Sequence, residues 1–161
     1  MAISVYLWLE DDSGREIKGS VDIEEREGSI EVIEFMHSIE HPVDKTSGKI
    51  TAKRICSTYA FMKEIDSSSS YLYKSLCTGQ TLKKAEFKFY RINYNGLEEI
   101  YFKTTLENAK VVQIEPVMFD IKHPQNEHYT HHEYIDLTYE KITWHYIDGN
   151  IIYSDTWKER G

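Results

Sequence analysis

Apolar and polar residues alternate most strictly between residues 79 and 119, and this stretch organises the rest of the chain. Runs rich in β-branched and aromatic side chains follow one another there, over residues 85–92, 100–106 and 109–119. In the first run Ala85, Phe87 and Phe89 share one face, opposed to Glu86, Lys88 and Tyr90. In the second, Ile100, Phe102 and Leu106 oppose Tyr101, Lys103 and Thr105. A period of two marks strands with one buried face. Asn95-Gly96 suits a tight hairpin, whose central residues need positive φ. Glu107-Asn108 is expected to be a second turn, completing an antiparallel meander. Its apolar face must be covered by another sheet or a helix.

The flanking pattern supplies that cover. Residues 2–9 predict a strand with Ile3, Val5, Leu7 and Leu9 on one face and Tyr6 and Trp8 on the other. A turn at residues 11–14 leads to a weaker strand over 17–23 and a charged connection over 24–28. Residues 30–39 read as a longer strand whose apolar side changes partway, which predicts a bulge or burial on both faces. Residues 41–53 turn polar and predict a long loop, or a hairpin extended away from the barrel. Residues 50–62 are extended again. A helix follows near residues 67–78, capped by Asp66 or Ser67 and closed by Gly79, with Leu72 and Leu76 at i, i+4. Residues 123–132 form a polar loop. Residues 133–147 change apolar parity near Glu140-Lys141, predicting a bulge at a barrel corner. A turn at Asp148-Gly149 and a strand over 151–157 end the pattern.

The sum is a mainly β protein, an antiparallel barrel or sandwich with one short flanking α-helix. At 161 residues it is read as one domain over 1–161, large enough for a real core. Twelve tyrosines exceed what an ordinary core consumes and suit strands whose second face meets another molecule. The net charge of −8, without a Lys/Arg run, excludes nucleic acid and disfavours an anionic membrane. Cys56 and Cys77 read as reduced thiols of a cytoplasmic product. No signal peptide and no stretch of transmembrane length is evident.

Candidate chemistry is sparse. His123, His128, His131 and His132 fall close together, but adjacent residues on an extended segment point to opposite faces, so a solvated loop is expected rather than a metal site. A hydrolase could draw a carboxylate pair from Asp22, Glu24, Glu31 or Glu133, and Cys56 could serve as nucleophile with His37 or His41 as base, yet no local motif supports either. No catalytic, metal or cofactor site is expected. Pattern and composition stop at a soluble, self-associating β domain, or a monomeric barrel binding a small ligand or carbohydrate.

Particular residue series go further. Arg54-Ile55, Lys63-Glu64-Ile65-Asp66-Ser67-Ser68-Ser69, Tyr71-Leu72-Tyr73, Gly79-Gln80-Thr81-Leu82 and Phe87-Lys88-Phe89-Tyr90-Arg91 resemble Hcp, the haemolysin-coregulated protein of bacterial type VI secretion. So do Leu106-Glu107-Asn108-Ala109-Lys110-Val111, Glu133 and Tyr139-Glu140-Lys141-Ile142-Thr143-Trp144. The resemblance implies a β-barrel with one flanking helix that forms homohexameric rings. Rings stack into a tube expelled by a contractile sheath behind a spike, with effectors held in the lumen. It implies synthesis in the cytoplasm and export by the machine itself. It also implies a lumen-facing strand carrying Glu31, Glu34 and Met36, and a ring-stacking loop carrying Asp44, Lys45, Thr46, Ser47, Gly48 and Lys49. Close relatives carry His-Thr-Pro-Phe where this chain has Cys56-Ser57-Thr58-Tyr59, and a Pro where it has Ser70.

Overall fold

A computed structural model describes residues 3–156. Ala2, in the first expected strand, and Trp157, in the last, lie outside the described residues. In chain order the elements are β1 (Val5–Glu10), β2 (Glu16–Ile17), β3 (Ile30–Val32), β4 (Glu34–Met36), β5 (Ile39–Glu40), β6 (Ile55–Cys56) and β7 (Tyr59–Glu64). Then come α1 (Ser69–Thr78), β8 (Leu82–Ile92), β9 (Glu98–Val117), β10 (His132–Thr138), β11 (Lys141–Tyr146) and β12 (Ile151–Thr156).

The strands close a barrel. β1 pairs with β8, β8 with β9, β9 with β10, β10 with β7 and β7 with β4, all antiparallel. β3 returns to β1, and the Ile33 N–H between β3 and β4 donates to the Met62 carbonyl. β11 and β12 extend the wall beside the first half of β9, and β2 adds to the end of β1. Leu7, Leu9, Phe61, Phe87, Leu106, Ile135, Leu137 and Ile142 fill the interior, each at most 1% exposed. The Phe87 ring lies 4.4 Å from that of Tyr59 and 5.5 Å from that of Phe61.

Several expected boundaries are corrected by strands that bend instead of ending. Glu107-Asn108 is no turn: β9 runs through it, and Asn108 takes a left-handed φ of 51°. Asn tolerates that region better than most residues. Inward positions shift there from Thr104 and Leu106 to Ala109 and Val111, so both halves of β9 keep an apolar side inside. The expected strand over 133–147 is β10 and β11, broken at residues 139–140. The Glu140 N–H donates to the Glu107 carbonyl, and the Asn108 amide donates to the Glu140 carboxylate at 3.0 Å, so the two bends clasp each other. Residues 30–39 are divided among β3, β4 and β5, and residues 50–62 contain β6 and most of β7. The strand over 17–23 shrinks to β2. At Gly19 a Cβ would meet the Ser29 carbonyl at 2.4 Å, so the chain there is pressed against residues 28–30 and bonded irregularly.

The helix begins at Ser69 with Ser68 as its N-cap and no side-chain capping bond, so the expected cap by Asp66 or Ser67 is not made. Asp66 accepts from the Ser68 N–H at 2.9 Å, whereas Ser67 donates to the Lys18 carbonyl. Gly79, at φ 70°, closes the far end. Leu72 is fully buried against the barrel. Beneath the helix start lies Lys63, wholly buried, with its ammonium 2.6 Å from Glu133 Oε1, 2.8 Å from Asp66 Oδ1 and 3.0 Å from Ser69 Oγ. At the opposite end of β7, His37 Nε2 meets the Tyr139 hydroxyl at 2.8 Å, and its ring stacks on Tyr59.

Removing one partner from a buried ion pair strands the other charge. Lys63→Ala should therefore cost about 3–5 kcal/mol in urea denaturation, and Lys63→Met with Glu133→Leu should recover much of that loss. Burial holds the His37 imidazole below its usual pKa. As pH falls through about 6.5, the unfolded chain takes a proton that folded His37 resists, so stability present above that pH is lost below it, until the folded pKa is passed. Thermal melts between about pH 7.5 and 5.5 should show this slope, and His37→Gln should flatten it.

Candidate functional site

The features that could meet a partner lie on the outside. Directly opposed residues in a sheet share a face. Phe35 lies opposite buried Phe61 and turns inward, 5.8 Å from the Tyr59 ring and 5.3 Å from that of Phe89. Glu34 and Met36 therefore point outward, and Met36 is 70% exposed. The same outer face continues through Ala60 on β7, Tyr134 and Asp136 on β10, and Gln113 and Glu115 on β9. The structure thus brings Glu34 and Met36 together. Glu31 lies beyond the Ile33 bend, opposite Tyr6 on β1, and lines a separate pocket of about 190 Å³ with Val21, Asp22, Ile23, Glu64 and Asp66.

Residues 41–53 form the extended hairpin. Its tip holds Asp44, Lys45, Thr46, Ser47, Gly48 and Lys49, all exposed. The Asp44 N–H donates to the Lys49 carbonyl, the Gly48 N–H donates to the Asp44 carbonyl, and Val43 bridges Ile50. The backbone N–H groups of Thr46 and Ser47 hold the Asp44 carboxyl below its usual range. The base is fixed more firmly. β5 pairs with β6, and Arg54 grips the Asp155 carboxylate with two bonds of 3.0 and 2.6 Å. Ser57 accepts from the Ser38 N–H and donates its own N–H to the Ser38 carbonyl.

Of the other candidates, Asp22 and Glu31 share the pocket just described. Glu133 is buried on Lys63, while Asp22, Glu24 and Glu31 are exposed around residues 20–31. Cys56 is buried with a free thiol, and His37 is engaged by Tyr139. His132 is packed against Phe119 and Tyr129, whereas His123 accepts from the Gln125 N–H. Among the described residues no three His, Cys, Asp or Glu are gathered to hold a metal.

Sequence reasoning missed two features. Lys63 was legible only through parity, since it shares the inward side of Tyr59 and Phe61. The pocket around Ile23 joins residues from distant segments, and no local signal marks it.

Known proteins share this architecture. The sequence model of the family described as "Type VI secretion system effector, Hcp" matches residues 6–146. The "Major exported protein" of Pseudomonas aeruginosa PAO1 is 34% identical over 140 residues, 87% of this chain and 81% of that protein. A double-tryptophan mutant of Hcp1 from the E. coli EAEC 042 pathovar is 56% identical, with a TM-score of 0.86 over 97% of this chain and 99% of that one. The secreted protein Hcp3 of Pseudomonas aeruginosa is 26% identical, with a TM-score of 0.75 over 97% and 99%. The barrel, its flanking helix and these matches place the chain in the Hcp family of type VI secretion tube proteins.

Proposed function

We propose that this chain forms a homohexameric ring, that rings stack into the inner tube of a type VI secretion machine, and that the lumen holds effectors until firing. The hairpin over residues 41–53 carries this reading. It is long, its residues 43–53 are exposed, and its base is held by the β5–β6 pairing. Lateral contacts have surfaces available. Ile33 and Phe35 are partly open, and among the described residues β12 pairs only with β11, with Ile151, Ile152 and Tyr153 exposed. A patch of this kind that meets a different patch on an identical neighbour closes into a ring when the rotation permits.

The outer face bearing Glu34 and Met36 is assigned to the lumen, with Glu31 at its margin. Methionine is flexible and polarizable, which suits a wall that accepts several partners. Spike, sheath and secreted effectors are the remaining partners. On this reading the protein is made in the cytoplasm and leaves through the machine itself. A monomeric ligand-binding barrel is disfavoured by the large side chains buried in the interior, among them Phe61, Phe87, Leu106 and Ile135.

Native mass spectrometry should give about six times the 19.0 kDa chain mass, and monomer alone at micromolar concentration would refute the ring. Met36→Gln should leave that mass unchanged and reduce co-purified effector; loss of the ring would instead place Met36 between subunits. Deleting residues 46–48 should keep the ring and weaken stacking, read as the pelleted tube fraction.

A further inference from the structure

We propose that the hairpin tip of one copy docks on the pocket around Ile23, Asp22, Glu31 and Glu64 of the next copy. This rests on the stacking reading and names its receptor. Asp44 spends its carboxylate on the Thr46 N–H, and among the described residues Lys45 and Lys49 make no ion pair. The tip therefore presents unpaired cations on a chain whose net charge is −8. Val43 and Ile50, bridged and so on one face, are 55% and 62% exposed. The tip is an apolar pair flanked by lysines.

The receptor has the matching chemistry. Ile23 is 45% exposed in a pocket lined also by Val21, with Asp22, Glu31 and Glu64 around it. Glu24, Glu25 and Glu27 continue the acidic loop. Its one cation, Arg26, is engaged elsewhere: it pairs with Glu98 and lies 3.9 Å from the centre of the Tyr90 ring. The two surfaces also lie at opposite ends of the molecule. The hairpin feeds into β7 near Tyr59, opposite Leu137, while Glu64 ends β7 opposite His132. Copies stacked in one direction bring tip and pocket together, a heterologous contact that repeats along a tube. A second pocket at the Glu64 end, lined by Met118, Phe119, Ile121 and Tyr129, has no carboxylate in its lining to meet the lysines.

Charge reversal tests the pairing in the full chain. Lys45→Glu with Lys49→Glu should lower the pelleted tube fraction roughly tenfold or more, with ring mass unchanged, because like charges then face each other. Asp22→Lys with Glu64→Lys should do the same, and the four changes together should restore tubes. Oxidised Ile23→Cys/Ile50→Cys rings in a Cys77→Ser background should give a reducible ladder longer than either single variant gives. Tubes that survive the pocket reversal, without rescue in the fourfold variant and without a ladder, would overturn this receptor. The stacking reading would then still stand if deletion of residues 46–48 dissolved the tubes, and would fall with it if the deletion did nothing.

Discussion

The Lys63 ammonium is sealed under the first turn of α1, where Glu133, Asp66 and Ser69 converge on it. It joins β7, β10 and the helix at one point, because each supplies a group that would be costly to bury alone. Ser69 donates its own proton to Glu133 at 2.8 Å and accepts the Asp66 N–H, so the acceptors around the charge are themselves held. With the helix start fixed there, Leu72 is directed into the barrel and Gly79 returns the chain to β8. A hydrophobic contact could supply comparable stability, but not this directional fixing of where the helix begins.

Closure imposes the second constraint. A sheet that closes on itself needs strands that change partners along their length, and here the changes fall at Ile33, at Asn108 and at residues 139–140. Each bend preserves inward apolar side chains on both sides of it. The Ile33 bend also separates Glu31 from Glu34 and Met36, so one stretch of chain contributes to two different outer surfaces.

Much of this was legible. Alternation located β1, β8, β10, β11 and β12, and the parity changes within 30–39 and 133–147 marked real departures from straight strands. Asn108 was misread because a local Glu-Asn signal suits a turn and a left-handed bend equally well, and only the partners on either side decide. β2 was overextended because the close approach at Gly19 depends on residues 28–30. Among site residues, the hairpin tip stood out through composition, whereas the Ile23 pocket depends on β3, β7 and residues 20–23 meeting in space.

A barrel packed with large buried side chains meets partners through its outside. Contacts on a convex wall are shallow, so strength must come from valency: identical faces held at fixed spacing keep a partner local after any one of them lets go. In the proposed ring, retention belongs to the array, not to the subunit, and release is abrupt because dispersing the copies removes every contact together.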